Sequence, residues 1–493
     1  MKLYLIGHNN KYAVEQMLFT LYPGEKAEYP DGPPDGEYIR ISVSSKTVYT
    51  TAYCTISNST GIYTGRSAVS SSLLTDKIMY DRYTQRIIKA SFFNAAIRSG
   101  IKKPVWGSLT GVRPGKLMSE IIYSSRNDEE SLNRFIKKYN TSEERASICL
   151  ETAKVSNKMH EELAQNDICI YIGIPFCPTR CAYCSFVSQS TEKSIDLIEP
   201  FVDSLLKEIR STAKVIEECN LNVISVYWGG GTPTTLSPDQ LDMVCSELEQ
   251  NFDLTNIREY TVEAGRPDTI TKEKLEVLKN HGITRVSVNP QTLSDDVLRA
   301  IGRKHTVKDL FNAIECVKNM DCFEINMDLI AGLPADDLKS FKHTINEILK
   351  IGPDNITVHT LSLKKGSNIQ RSNICVPGAV EVGQMIDFAN IQLRENGYSP
   401  YYLYRQKYMS GGFENIGWSK GGHNNIYNIC IMEELCSIIA LGGGGSTKLI
   451  APGNKKNIRV MNPKYPYEYI SHIDKICSEK GKIKEFYDGL SII

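Results

Sequence analysis

Net charge is the first thing this 493-residue chain lacks: 57 Lys and Arg stand against 57 Asp and Glu. A general nucleic-acid binder needs a basic surplus to neutralise phosphate, so that class is set aside. Apolar runs long enough to span a bilayer are absent, and the opening MKLYLIGHNNKYAVEQ has no hydrophobic stretch of signal-peptide length. Disulfide-framework spacing is missing too. Eleven of the 14 cysteines (Cys54, Cys149, Cys169, Cys219, Cys245, Cys316, Cys322, Cys375, Cys430, Cys436 and Cys477) are scattered, and they are expected as free thiols in a reducing cytoplasm. Near the one cysteine-dense stretch there is no second CxxC pair, which a structural zinc would ask for.

What is present is that dense stretch, CPTRCAYC, with Cys177, Cys181 and Cys184 in CxxxCxxC spacing. It follows CIYIGIP, an apolar β-branched run that reads as a buried strand over 169–175. Three thiolates on a loop past a strand end suit three irons of a [4Fe–4S] cubane. With no fourth ligand on the loop, one iron stays open to a small molecule.

Downstream, strand and helix patterns alternate. Strands are predicted over 169–175, 223–228, 259–264, 284–289, 323–330 and 355–361, with helical patterns between them. The beat predicts an α/β fold with a parallel sheet and right-handed crossovers, either open or an incomplete TIM-type barrel. Function should then gather at the carboxyl ends of the strands. The motifs fall there: WGGGTP after the second strand, Glu263 in TVEAGRPD, NPQ followed by Gly302-Arg303, and Asp328 in DLIAGLP. Singly, each is more often a structural polar group. Together they converge on one mouth.

Before the cysteine loop, a strand is predicted over 2–7, a helix over 13–21, a hairpin over 38–43 and 47–56, and helices over 76–98 and 142–164. The turn-rich WGSLTGVRPGKL either offers Arg113 and Lys116 to an anion or starts a helix after Pro114. After residue 365, helices are predicted over 380–396 and 431–441. Gly442–Gly445 is either a loop that something approaches or a flexible linker. Tyr401, Tyr402, Tyr404 and Trp418, with Arg405 and Lys407, make either a surface for a flat anionic ligand or core plus rim.

The constellation resembles the radical S-adenosylmethionine enzymes, and within them the oxygen-independent coproporphyrinogen III oxidase (coproporphyrinogen dehydrogenase) family. The likeness to its HemZ branch extends to WGSLTGVRPGKL, YYLYRQK, GGFENIGW and YNICIMEE. It implies an incomplete (β/α)6 radical-SAM barrel over 166–364, an α+β N-terminal domain over 1–165, and a C-terminal extension over 365–493 covering the cavity. Cys177, Cys181 and Cys184 would hold the cluster. Tyr171, Tyr183, Gly230, Gly231, Thr232, Glu263, Gln291, Arg303 and Asp328 would contact S-adenosylmethionine, one molecule or two, and Gly442–Thr447 would line the cavity.

The resemblance further implies a porphyrin-biosynthesis oxidoreductase with coproporphyrinogen III as substrate and a low-potential donor such as a flavodoxin or ferredoxin. Lys364, Lys365 and Arg405 are candidates for holding propionates, against the plainer reading of a solvated charged surface. One departure stands out. The founding branch reads CxxxCxxCxC, whereas Phe186 occupies the last cysteine's position here, as in the haem-chaperone (HemW) branch. A haem-binding chaperone, or another radical enzyme acting on a tetrapyrrole, is the alternative.

Overall fold

The computed structural model describes residues 1–186, 188–362, 367, 369, 374–406, 410–451, 453 and 457–490. They form two compact units, Met1–Leu150 with Gly411–Phe413, and Glu151–Ser410 with Glu414–Ile493.

In the first unit, β1 (Lys2–Ile6), β2 (Tyr38–Ser45), β3 (Tyr49–Asn58) and β4 (Gly61–Ser70) make a sheet in that order, with β1 parallel to β2 and the rest antiparallel. Alternate residues of β2, Ile39, Ile41 and Val43, point into a core shared with Val14, Met17 and Leu18 of helix Lys11–Leu21. Ile87, Ile88 and Phe92 of helix Lys77–Arg98 join the same core. That helix starts on Asp76, whose carboxylate accepts the Met79 amide at 2.8 Å. It crosses β4 at Gly65, where a Cβ would lie 2.1 Å from the Ser91 carbonyl oxygen. The glycine that weakens the β4 strand pattern is what lets the helix dock. Helix Pro114–Ile122 resolves the choice at Pro114 in favour of a helix start.

The second unit is built on β5 (Asp167–Ile174), the two-residue pair β6 (Phe176–Cys177) and β7 (Gln189–Ser190), β8 (Asn222–Gly230), β9 (Glu259–Glu263), β10 (Arg285–Ser287), β11 (Glu324–Ala331) and β12 (Asn355–Thr360). Further strands are β13 (Ser399–Tyr404), β14 (Asn415–Ser419), β15 (Ser437–Gly442), β16 (Ser446–Ile450) and β17 (Asn457–Met461). The strands β5-β8-β9-β10-β11-β12 lie side by side in chain order and are all parallel. Buried on both faces, they read as continuous apolar runs, as DICIYIGI of β5 does. Intervening helices start on side-chain caps, including capping boxes at Ser237/Gln240 and Thr306/Asp309. Helix Leu338–Ile351 ends on Gly352 at φ 66°.

The sheet does not stop at six strands. β14 and β13 extend it antiparallel beyond β12, while β15 pairs parallel with β5 on the other side, followed by β16 and β17. Among the described residues β13 and β17 are edges, so pairing does not close the barrel.

The predicted helix over 431–441 is corrected here: helix Ile426–Glu433 ends at Glu434 in the left-handed region, and Ser437–Gly442 is a strand. Its run SIIALG is buried throughout, and a short apolar run with no exposed face has no periodicity to tell strand from helix. Gly442–Gly445 is the tight connection from β15 to β16, and what approaches it is the end of β5 and the proline that follows. A Cβ on Gly442 would lie 2.2 Å from the Gly173 oxygen, and one on Gly443 2.7 Å from Pro175 Cγ. Buried Glu208 fixes this turn by accepting the Gly442 amide (2.7 Å), Asn462 Nδ2 (2.8 Å), Tyr469 OH (2.5 Å) and Lys480 Nζ (2.7 Å).

Candidate functional site

The cysteine loop leaves β5 at Pro175 and is held at its base by the glycines after β8. Gly231 N donates to Ile174 O and Thr232 N to Phe176 O, both at 2.7 Å. A Cβ on Gly231 would lie 2.3 Å from Phe176 O, so the glycine is required by the chain entering the loop. Thr232 Oγ1 lies 3.5 Å from Cys177 Sγ. Arg266 braces the loop's centre, donating to Thr179 Oγ1 at 2.9 Å and reaching Cys181 Sγ at 3.7 Å. The Cys184 amide turns back onto Cys181 O at 3.1 Å. Burial pushes the Cys177 thiol up and Cys184 up to about 11, so loading either with iron requires release of a proton.

At the mouths of the following strands the polar groups are ordered by one another. Arg303, buried, donates to Asn289 O at 2.7 Å and to Tyr183 OH at 3.1 Å, linking β10's exit to the loop. Gln291 sits at φ 65°, its amide donating to Asp328 O at 2.9 Å and its side chain to the same oxygen at 3.3 Å. A left-handed non-glycine residue held by a neighbouring strand is strain retained at a cavity wall.

The two acids differ. Glu263 accepts Tyr227 OH at 2.6 Å, yet burial, with the Asp328 charge adding, pushes its carboxyl up to about 7. Burial would raise Asp328 as well, but hydrogen bonding and charge from His359, with further bonds from Asn326 and Thr357, hold it below the usual carboxylate range. One acid is thus poised near neutrality and the other is ionised.

These residues share one cavity of about 560 Å³. Tyr171, Cys177, Cys181, Tyr183, Cys184, Gly230, Gly231, Thr232, Glu263, Gln291, Arg303 and Asp328, all selected from sequence, line it, as do Gly444 and Ser446 of the Gly-rich connection. Of the aromatics after residue 400, Tyr401 and Trp418 are core, while Tyr402 and Tyr404 reach the cavity wall. Arg405 is buried, and burial lowers it to about 10 despite the Glu414 charge. Lys364, Lys365 and Lys407 lie outside the described residues.

Sequence reasoning missed Arg266, although it stands three residues after Glu263 in the same motif. It also missed His359 at the β12 exit, whose Nδ1 lies 3.4 Å from Tyr404 OH. A stack of Tyr171, Tyr227 and Tyr427 was not foreseeable: Tyr427 lies 4.4 Å from Tyr227 and 6.0 Å from Tyr171 between ring centres. Their chain positions carry no common signal.

The donor set fits a cubane carried by three thiolates. Each ligand of such a cluster holds a different iron, so the three sulfurs surround the group rather than converge on a point. Among the described residues, the only group of three or more Cys, His, Asp or Glu whose ligand atoms do converge within 4.8 Å is made by three other cysteines. The polar strand exits fit an adenosyl sulfonium beside it: an ionised carboxylate for hydroxyls, the cavity wall at Gly230–Thr232 for a charged amino-acid end, and aromatic rings for a base.

Comparison with known proteins agrees. The radical SAM superfamily matches residues 171–348. The chain is similar to an oxygen-independent coproporphyrinogen-III oxidase-like protein, HemZ, of Bacillus subtilis (strain 168), at 40% identity over 77% of each chain. It is also similar to the heme chaperone HemW of the same organism, 31% identical over 50% of this chain and 64% of that protein. The Escherichia coli coproporphyrinogen III oxidase HemN, a radical SAM enzyme, shares the fold at a TM-score of 0.52 and 20% identity, over 66% of this chain and 73% of that one. No described helix is long and apolar enough to cross a membrane.

Proposed function

For a chain that belongs to the radical S-adenosylmethionine superfamily, in the family of HemZ-type oxygen-independent coproporphyrinogen-III oxidase-like proteins, we propose oxidative decarboxylation of the propionates of coproporphyrinogen III to vinyl groups, giving protoporphyrinogen IX. The observation that carries this reading is the meeting of the three-thiol loop and the strand-end polar groups on one cavity. The family uses a [4Fe–4S] cluster with S-adenosylmethionine, which when bound supplies one-electron cleavage of a sulfonium and so removal of hydrogen from an unactivated carbon.

The chain's own residues do the rest. Cys177, Cys181 and Cys184 hold three irons, and Thr232 and Arg266 steady two of those sulfurs from outside the loop. Gly230, Gly231 and Thr232 line the seat for the amino-acid end of S-adenosylmethionine. Asp328, ionised, accepts from its hydroxyls, and Glu263 donates or accepts near neutral pH. Tyr171, Tyr183, Gln291 and Arg303 complete its seat. The stacked tyrosines keep water from the floor of the site, which matters because a carbon radical takes the nearest hydrogen. The substrate propionates call for basic partners, for which Lys364, Lys365 and Arg405 are the candidates that the sequence offers, and a low-potential flavodoxin or ferredoxin delivers the electron.

A second reading, haem binding and transfer, is favoured by Phe186, which is exposed at the cavity where the founding branch has cysteine, and by the likeness to HemW. Anaerobic incubation with coproporphyrinogen III, S-adenosylmethionine and a reductant separates the two. Vinyl products formed in step with 5′-deoxyadenosine support the oxidase. Tight haem binding with no such product supports the carrier.

A further inference from the structure

Three cysteines that the loop does not use meet behind the cavity. Cys169 lies on β5, Cys430 in helix Ile426–Glu433, and Cys436 just before β15. Their sulfurs all lie within 4.8 Å of one another, and Cys169 Sγ to Cys436 Sγ is 3.7 Å. All three are buried. Two sulfurs bound to one zinc-class ion at about 2.3 Å each lie about 4 Å apart. The thiols thus already stand at the spacing of ligands to a single ion.

The plainer reading is that buried cysteine packs as a small apolar residue. Cys54, Cys149 and Cys245 do so singly. Nothing in apolar packing asks three thiols from segments as much as 267 residues apart to point at one another. We propose that Cys169, Cys430 and Cys436 form a second metal site that binds a single thiophilic d10 cation through three sulfurs.

The surroundings suit such an ion. The site lies in a hydrophobic cluster with Met159, Ile224, Ile429 and Ile438, where soft sulfur is the available donor. Binding requires the sulfurs as thiolates, and the ion's own charge offsets theirs, so that a dication leaves one net negative charge to bury in place of three. Once bound, the ion ties β5 to the helix and to the start of β15. Cys169 shares a strand face with Tyr171 two residues on, and Tyr427 follows from the same helix as Cys430. The ion would therefore brace the tyrosine floor of the cavity from below.

Full-length protein carrying Cys177→Ala, Cys181→Ala and Cys184→Ala removes the loop as a competitor. After incubation with Cd(II) and desalting, it should retain about one Cd(II) per chain with sulfur-to-cadmium charge-transfer absorption. Adding Cys169→Ala, Cys430→Ala or Cys436→Ala should lower retention more than tenfold, while adding Cys245→Ala should leave it unchanged. If an added substitution unfolds the chain by circular dichroism, 113Cd NMR of the parent with the three loop cysteines replaced decides, with a resonance in the multiple-thiolate range expected. Absence of bound Cd(II), Cd(II) that survives loss of the triad in folded protein, or a resonance of oxygen-only coordination each overturns the proposal. None of these readouts depends on the oxidase reading.

Discussion

Gly231→Ala tests whether the glycines after β8 serve the cysteine loop through the backbone. Gly231 has no left-handed φ, so alanine can adopt its backbone conformation and the cost is contact alone. The new Cβ would lie 2.3 Å from Phe176 O and 2.8 Å from Ile174 O, and real contacts do not fall below 3.0 Å. Phe176 must therefore move by about 0.7 Å (3.0 − 2.3) or more, and it directly precedes Cys177. Overpacking of this kind costs about 1–3 kcal/mol. The two 2.7 Å amide bonds to Ile174 O and Phe176 O, if lost, add about 1 kcal/mol each. A total of about 3–5 kcal/mol is expected as a lowered urea midpoint. The displaced loop should take up less iron on anaerobic reconstitution, and turnover should drop about 100-fold, the usual effect of an ångström-scale misplacement. Gly481→Ala is the control, since a Cβ there meets nothing within 4 Å. A Gly231→Ala protein with full iron content, wild-type turnover and an unshifted midpoint would refute the reasoning.

Replacing Cys177, Cys181 and Cys184 together by Ala should abolish the iron–sulfur absorbance of reconstituted protein, whereas Cys430→Ala and Cys436→Ala should each leave it intact; visible absorbance and iron analysis check both. Glu263→Gln should alter the pH dependence of stability. The Glu263 carboxyl is raised to about 7 when folded, so folding is penalised as the unfolded carboxyl ionises from about pH 4.5, with the full penalty reached above pH 7. The Gln variant should match wild type at pH 4 and exceed it by up to about 3 kcal/mol at pH 8 in denaturant titrations of cluster-free protein; equal stability at both pH values contradicts the burial argument. Glu208→Ala leaves the Lys480 ammonium buried without its partner and should cost about 3–5 kcal/mol. Adding Lys480→Met should recover part of that loss, and a double variant no more stable than the single one would count against a buried pair.

The six parallel strands were legible because each is a short β-branched run between turn signals, and burial on both faces makes such runs continuous. For Glu324–Ala331 and Asn355–Thr360 the expected bounds fall within a residue of those observed. The same property hid β15, since SIIALG next to a helical stretch carries no face to distinguish it. β4 escaped because its pattern is broken by Gly65, which is there for the helix that crosses it. At the site, the cysteines and the polar residues at strand ends were found, while Arg266, His359 and Tyr427 were not, although Arg266 and Tyr427 lie within quoted motifs. Their roles come from what stands opposite them, and no local pattern announces that.

By itself, the amino-acid order determined the thiol spacing, the strand–helix beat and the placing of polar motifs just past strand ends, since each depends on neighbours a few positions away. Only the tertiary structure decided that Phe176 leaves no room for a side chain at Gly231, that Glu263 is held near neutrality while Asp328 is ionised, and that Cys169, Cys430 and Cys436 face one another. Desolvation, close approach and the meeting of side chains depend on which distant segments become neighbours, and that is settled when the sheet assembles.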